Sequence, residues 1–390
     1  MTEKNLAEID LSALKHNFLI LRDKIKAASP KTEPMCVVKA DAYGHCAEFC
    51  VPALYEAGAR SFAVSSIEEA EQIFAILDAK NCVAGSILIL GYTPPESENV
   101  KLLARHKITQ AVYSLEYAKA LSEEVNALRA LGVLDESDGI RCHLKLDSGM
   151  NRLGFDTHAA SADKTVSEIL EVARLDGIRI DGVFSHFACA DEGNAAHSVA
   201  QFDRYDAIVK RCEAAGVKFA CKHICNSAGA LRFPEMYQDM VRLGIVLYGL
   251  SPSDEVRDDA LIPVMRLKSR IAHVHKLHAG DCVSYGAEFC ADREMTVATI
   301  PIGYADGFLR GYKNGGTVMV GSIPARLLGR ICMDQCMVDV TDLDVSAGDY
   351  VYIFDESGEN IKRLCTAAGT INYEAICLIS KRVKRVPINN

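Results

Sequence analysis

Along the first part of the chain, residue types that move protons or bind anions sit at the ends of short apolar runs. Lys39 closes PMCVVKA, Lys145 and Arg152 lie in and after RCHLKLD, and His186 ends RIDGVFSHF. Asn226 and Ser227 close FACKHICNS, while Arg242, Gly244 and Ile245 belong to RLGIVLYGL or stand just before it. A lysine so placed can form a Schiff base with a carbonyl cofactor. A Gly-Ile backbone beside a serine hydroxyl offers the small, donor-rich groups that a phosphate requires. These positions describe a site for a phosphorylated carbonyl compound, held by a lysine at one edge and by its phosphate at the other.

The elements that must position them are legible as alternation. Over roughly the first 250 residues, β-branched runs alternate with segments of helical period such as SLEYAKALSEEVNALRAL and SVAQFDRYDAIVKRCEAAG. The remaining runs are SFAVSS, SILILG and ITQAVYS, which makes eight units and predicts a closed (β/α)8 barrel of TIM type. Active sites of such barrels form at the C-terminal strand ends, with phosphate after the seventh and eighth strands. Beyond residue 258 the pattern changes to alternating apolar and polar residues with Gly, Asn and Asp turns, as in EMTVATIPIGYADG and GGTVMVGSIPARLLGR. An α/β chain is therefore expected, with a barrel over residues 1–258 and a mostly antiparallel β domain over 259–390.

Composition narrows the partners. A net charge of -9 gives no broad basic face for nucleic acid. No apolar stretch has the length of a signal core or a membrane span, so a soluble cytoplasmic enzyme without membrane contact is expected. The fifteen cysteines are scattered and none has C-x-x-C spacing, which reads as reduced thiols. HVHKLH places His273 and His275 on one strand face and His278 on the other, without a carboxylate or thiol at ligand spacing; a solvated strand is expected there, and no metal.

VVKADAYGH, from Val37 to His45, resembles the cofactor-lysine segment of alanine racemases, pyridoxal-phosphate enzymes of the barrel type. The resemblance continues through HLKLDSGMNRLGF, GVFSHFACAD, HICNSAGAL, VRLGIVLYGL, VSYGAEF, IPIGYADGF, GRICMDQCMVDV and TINYEA, in order and over nearly the whole chain. It implies a racemase of L- and D-alanine that supplies D-alanine for peptidoglycan, with pyridoxal 5'-phosphate bound through Lys39. Lys39 is then the base on the D-alanine side and Tyr285 on the L-alanine side, since racemisation needs one group on each face of Cα.

The same resemblance implies the supporting residues. His186 and Arg242 stabilise the Tyr285 phenolate, Arg242 faces the pyridine nitrogen, and His223 orients Arg242. Arg152 reaches the substrate carboxylate and the cofactor's phenolic oxygen, oriented by Lys145 if that lysine is carbamylated. Tyr43, Asn226, Ser227, Gly244, Ile245 and Tyr373 bind the cofactor, chiefly around its phosphate. The backbone near Met333 binds the substrate carboxylate, and Tyr304 narrows the entrance. Tyr285, Tyr304 and Met333 are expected over the barrel mouth of a second copy, in a homodimer with shared sites.

Asp41, Cys46 and Cys189 depart from the common family pattern, and Asp41 adds negative charge close to the lysine. A racemase acting on serine or a broader set of amino acids is the alternative within the fold. A basic amino-acid decarboxylase has no use for the VSYG tyrosine, and a barrel-only cofactor-binding protein lacks a second domain. Neither G-x-G-x-x-G nor G-x-x-x-x-G-K-[ST] occurs, which disfavours NAD and ATP chemistry.

Overall fold

The computed structural model describes residues 3–389. Strand β1 (Asn5–Asp10) alternates buried and half-buried residues. Its last residue, Asp10, accepts the Ala13 N–H at 2.9 Å and so caps the helix Leu11–Ala28. Barrel strands follow as β2 (Glu33–Val37), β3 (Ser61–Val64), β4 (Ser86–Ile89), β5 (Thr109–Val112) and β6 (Ile140–Asp147). After β7 (Phe155–Asp156), a two-residue strand that pairs with the end of β6, come β8 (Ile178–Phe184), β9 (Cys221–His223) and β10 (Met240–Leu243).

Eight of these strands close into the expected barrel: each is parallel to its neighbours, β5 pairs with β6, and β10 returns to β2. Helices cover the outside and side chains fill the inside, so β3, β5 and most of β2 are buried throughout. Ser66 and Ser114 accept N–H bonds from Glu69 and Tyr117 and start the helices after β3 and β5. Short βα loops ending in such caps leave the strand ends open. The run RLGIVLYGL is a strand only to Leu243; Gly244 takes φ -112 and ψ -105, and Ile245–Tyr248 becomes a 3-10 turn.

The second domain contains β11 (Met265–Arg270), β12 (His273–Leu277), β13 (Cys282–Val283), β14 (Phe289–Cys290) and β15 (Met295–Ile300). It continues with β16 (Thr317–Val320), β17 (Ile323–Leu328), β18 (Cys336–Asp339), β19 (Tyr350–Phe354) and β20 (Lys384–Ile388). Its main sheet has the order β12-β15-β18-β17-β16-β19-β11-β1-β20. Strand β1 lies antiparallel to β11 and parallel to β20, so the chain's first strand belongs to this sheet. The expected boundary at residue 258 lies between β10 and β11, while β1, on the barrel side of it in sequence, pairs in the second sheet. The sheet brings the two ends of the chain together, a pairing that local alternation does not reveal.

Two further features answer the composition. Cys282 and Cys290 are joined by a disulfide across β13 and β14, which corrects the reading of all fifteen cysteines as reduced thiols. Antiparallel register, rather than short spacing, brings them opposite each other. His273 and His275 stack at 5.1 Å on one face of edge strand β12, with His273 exposed and His275 half-buried. Among the described residues no helix is long and apolar enough to cross a membrane.

Candidate active site

Lys39 follows β2 and opens a turn of unusual hand. Ala40, Asp41, Ala42 and Tyr43 all have φ between 52 and 56, a short left-handed helical stretch closed by the Gly44 N–H on Ala40 O at 2.8 Å. Left-handed L-residues cost roughly 1–2 kcal/mol each, so the surroundings must hold the turn. Glu69 does part of this: its carboxylate accepts the Ala40 N–H at 2.6 Å and the Ser65 N–H at 2.7 Å. Asp41 accepts the Ala47 N–H at 2.7 Å at the start of the helix Ala47–Glu56. Its charge therefore serves a helix end and Arg385, and it is not among the groups that principally set Lys39. Burial lowers the Lys39 pKa, and Arg152 and Arg242 add to the effect against Glu69 and Cys377. A lowered pKa leaves more of the amine unprotonated, the form that attacks a carbonyl or accepts a proton.

Residues His143, Lys145 and Asp147 alternate along β6 and share one face of it. Asp147 accepts four backbone N–H groups of the loop that follows, from Gly149, Met150, Asn151 and Arg152, at 2.9–3.0 Å. Burial would raise its pKa, but these donors and the Lys145 charge outweigh it and hold the carboxyl low. This clasp presents Arg152 at the barrel mouth, where it acts on Lys39, Lys145, His186 and Arg242. Lys145 is buried and donates only to Leu146 O, at 2.8 Å. Desolvation, with Arg242 and Arg152 nearby, pushes its pKa down to about 7.

Arg242, on β10, is 2% exposed, with four acceptors about its two terminal nitrogens. It donates to His223 Nδ1 at 2.6 Å, to Ser185 O at 2.8 Å, to Ile224 O at 2.9 Å and to His186 Nδ1 at 3.2 Å. Burial pushes its pKa down to about 10, which leaves it cationic near neutrality. The same burial, reinforced by Arg242, drives His186 and His223 well below the usual histidine range, so both are neutral. Because His223 Nδ1 accepts from Arg242, its proton is on Nε2, which donates to His143 Nδ1 at 2.9 Å. His143, Cys221 and His223 form the one grouping of metal-ligand types among the described residues. The hydrogen-bond chain occupies both His223 nitrogens and a buried cation adjoins it, so the grouping is a relay for Arg242.

Across the mouth, Asn226 caps the short helix Ser227–Arg232 by accepting the Gly229 N–H at 3.0 Å. Ser227 Oγ accepts the Gly244 N–H at 2.9 Å. A Cβ on Gly244 would lie 2.7 Å from the Tyr43 hydroxyl, so the close approach of these groups requires glycine. The helix at Ser227 and the 3-10 turn at Ile245 both begin here, and the first N–H groups of such turns have no partner within them, which suits an anion. Tyr373 comes from the second domain, on the helix Asn372–Cys377, and its ring is 6.3 Å from that of Tyr43.

Tyr285, Tyr304 and Met333 are absent from this mouth. They form an outward face of the second domain, 71%, 43% and 53% exposed. Hydrogen bonds tie their loops together: Tyr304 N–H to Cys332 O at 3.1 Å, Ala305 N–H to Met333 O at 3.0 Å, and Ser284 Oγ to Arg330 O at 2.7 Å. Large exposed apolar groups fixed in one place mark a surface that meets something else.

The structure thus gathers Lys39, Tyr43, Lys145, Arg152, His186, His223, Asn226, Ser227, Arg242, Gly244, Ile245 and Tyr373 about the barrel end, and sets Tyr285, Tyr304 and Met333 apart. Sequence reasoning missed Glu69, His143, Asp147 and Cys377. Two of these were within reach, since the i, i+2 spacing of His143, Lys145 and Asp147 in RCHLKLD announces a shared face.

This fold and mouth define a barrel enzyme that works with a lysine amine and an anionic ligand. The match to known proteins sharpens the class: residues 9–252 fit the family model of the alanine racemase N-terminal domain and residues 264–387 that of the C-terminal domain. Alanine racemase 1 of Clostridium acetobutylicum is 40% identical over 98% of this chain and 95% of its own length. The alanine racemase of Methanococcus maripaludis is 36% identical over 97% of both. Among solved structures, alanine racemase of Clostridium difficile 630 has a TM-score of 0.86 at 37% identity, covering 100% of this chain and 97% of that one. The enzyme from Streptomyces lavendulae has a TM-score of 0.88 at 32% identity, with 100% and 98% covered. The chain belongs to the alanine racemase family, isomerases that interconvert L- and D-alanine and that generally use pyridoxal phosphate.

Proposed function

We propose that this chain racemises alanine in the cytoplasm with two opposed proton-transfer groups, Lys39 on the D-alanine face and Tyr285 on the L-alanine face. One observation carries the reading. The barrel mouth has Lys39 at one edge and an anion cradle at the other, while Tyr285 stands exposed on an outward face of the second domain. A homodimer in which each outward face covers the partner's mouth completes both halves. Two-fold symmetry makes such an exchange reciprocal and yields two whole sites.

The residues present fit pyridoxal 5'-phosphate. The Ser227 hydroxyl, which accepts the Gly244 N–H and keeps its own proton to donate, stands with Ile245 at the cradle for a phosphate, and Lys39 offers an amine of lowered pKa. When bound, this cofactor supplies an aldehyde for Lys39 and an electron-withdrawing ring that acidifies the Cα proton of alanine. Arg242, held by His223 and two carbonyls, would keep a fixed cation against the ring nitrogen. Neutral His186 would accept from Arg242 and lie beside the Tyr285 hydroxyl of the partner. Arg152 and the Met333 amide would bind the substrate carboxylate, and Tyr304 would narrow the entrance.

On this reading Tyr285 takes the Cα proton of L-alanine and Lys39 Nζ gives one to the opposite face, with the roles reversed for D-alanine. Lys145, its pKa pushed down to about 7 by burial and by Arg242, is substantially unprotonated near neutrality and suits reaction with carbon dioxide. The resulting carbamate would be an anion able to orient Arg152. The test is chiral analysis of holoenzyme with L-alanine in deuterated water. Labelled D-alanine that disappears in Lys39→Ala and in Tyr285→Phe supports the reading. Undiminished racemisation in Tyr285→Phe would overturn it.

A further inference from the structure

The loop that presents Tyr285 is fastened by a bond outside the reaction. Strands β13 and β14 form a ribbon separate from both large sheets, and its ladder holds just two pairs, Cys282 with Cys290 and Val283 with Phe289. A ribbon this short is unstable alone. Between the strands the backbone is strained: Ser284 has φ 67, Ala287 φ 48, and Gly286, at φ 77, lies under the Arg330 guanidinium. Ser284 Oγ donates to Arg330 O, and Glu288 pairs with Arg330 at 2.7 Å and Lys313 at 2.8 Å, contacts that are open to water. The disulfide between Cys282 and Cys290 is the one covalent closure of the loop.

The position of the pair distinguishes it from the other cysteines. Cys282 and Cys290 are exposed, whereas Cys36, Cys50, Cys142, Cys225 and Cys336 are buried and desolvated, with thiol pKa values raised. Buried thiols of that kind are inert to exchange. An exposed cross-strand pair is reachable by small thiols and disulfides, and disulfides of cytosolic proteins are commonly transient.

We propose that Cys282 and Cys290 are a thiol–disulfide modification site that sets how firmly the Tyr285 loop is held, closed by a low-molecular-weight disulfide and opened by a thiol. The proposal rests on the reading of Tyr285 as the L-face group. In closure, the thiolate of one cysteine attacks a sulfur of the small disulfide; that S–S bond breaks and one small thiolate leaves, taking up the proton the cysteine lost. The second cysteine's thiolate then attacks the mixed disulfide, the Sγ–Sγ bond forms, and the second small thiol departs. Two electrons and two protons pass from the pair to the small disulfide, and two small thiols result. Excess thiol reverses each step.

Opening leaves the base of the ribbon held by the two ladder pairs, the Gly280 and Ala291 backbone bonds and the packing of Val283 and Ala291. Its strained tip, residues 284–287, is then held only by the Ser284 bond and exposed ion pairs, so Tyr285 samples a wider range while Lys39, in the barrel, is unaffected. The two faces of alanine should therefore respond unequally. Holoenzyme is equilibrated in glutathione buffers of graded poise. Alkylation and mass spectrometry then read the state of the 282–290 peptide. Deuterium entry from solvent into recovered L-alanine reports the Tyr285 face, and entry into recovered D-alanine the Lys39 face. Expected is a fall of about tenfold in L-face exchange as the bond opens, with D-face exchange within about twofold, since sub-ångström misplacement of a reacting group has effects of this order. A Cys282→Ser, Cys290→Ser double variant should behave as the open form at every poise. An exchange ratio that stays constant while the peptide passes from closed to open would overturn the proposal, as would a pair that never closes. Tyr285→Phe separates the two claims: selective loss of L-face exchange keeps the underlying reading whatever the cysteines do, and its absence removes that reading.

Discussion

Lys145 offers a quantitative test, because its burial has an energetic signature of known sign. Its pKa falls from 10.5 to about 7, mainly by desolvation and then by Arg242. At about 1.4 kcal/mol per pH unit that shift corresponds to roughly 5 kcal/mol of native-state destabilisation where both states are protonated. Replacing Lys145 with Met keeps the volume and removes the charge. It also removes the bond to Leu146 O, worth about 1 kcal/mol, though that oxygen still accepts from Ser185 Oγ at 2.8 Å. In carbonate-free buffer the variant should exceed wild type by about 4 kcal/mol below pH 7. Between about pH 7 and 10.5 the unfolded chain holds a proton that folded Lys145 lacks, so wild-type stability rises with pH and the gap closes. Urea unfolding of cofactor-free wild type and variant, in parallel from about pH 6 to 10, measures the difference. A variant no more stable than wild type at the acid end, or a gap that persists at the alkaline end, would refute the assignment of a penalised, neutral lysine.

Three further perturbations address the mouth. His143→Leu leaves His223 Nε2–H a buried donor without an acceptor, a loss of about 1–3 kcal/mol. Looser Arg242 should then weaken pyridoxal phosphate about tenfold in a fluorescence titration, and His143→Asn should recover most of it. Gly244→Ala drives a Cβ against the Tyr43 hydroxyl at 2.7 Å; cofactor affinity should fall at least about tenfold, with partial return when Tyr43→Phe is added. Asp147→Asn turns the oxygen facing the Arg152 N–H into an amide donor for one rotamer and removes the charge. Steady-state kinetics should show KM for alanine rising about tenfold, with kcat changing less.

Much of this architecture could be read from residue pattern. Parallel strands buried on both faces appear as continuous runs such as SFAV and TQAV, and caps such as Ser66 and Ser114 mark where helices begin, so the barrel was legible. Lys39, Arg152, Ser227 and Gly244 fall at strand ends, where the barrel rule looks for them. Hidden features depend on register or on partners distant in sequence. Strand β1 joins the second sheet through pairings with Met265–Arg270 and Lys384–Ile388. The left-handed turn at Ala40–Tyr43 contains no glycine to signal it, and Glu69, which holds it, is on another helix. The Cys282 and Cys290 pair becomes visible only when the strands are set opposite each other.

Charge balance at the mouth explains why these particular residues are there. Arg242, Arg152, Lys39 and Lys145 converge, and the two guanidinium groups lower the proton affinity of both lysines. The two nearby carboxylates are engaged elsewhere: Asp147 by four loop amides and Glu69 by the Ala40 and Ser65 amides. Neither neutralises a guanidinium, so the protein by itself is a cationic receptor whose missing charge must come from what it binds. A phosphate at the Ser227 and Gly244 cradle supplies part, and a substrate carboxylate near Arg152 another. With a pKa of about 7, Lys145 is the member of the group whose charge is most easily given up near neutrality. Its conversion to a carbamate would change the sign of the local charge and give Arg152 an anion to lean on. Burial and the fixed cations Arg152 and Arg242 lower the Lys39 pKa against the pull of any anionic ligand, which eases release of its proton for transfer.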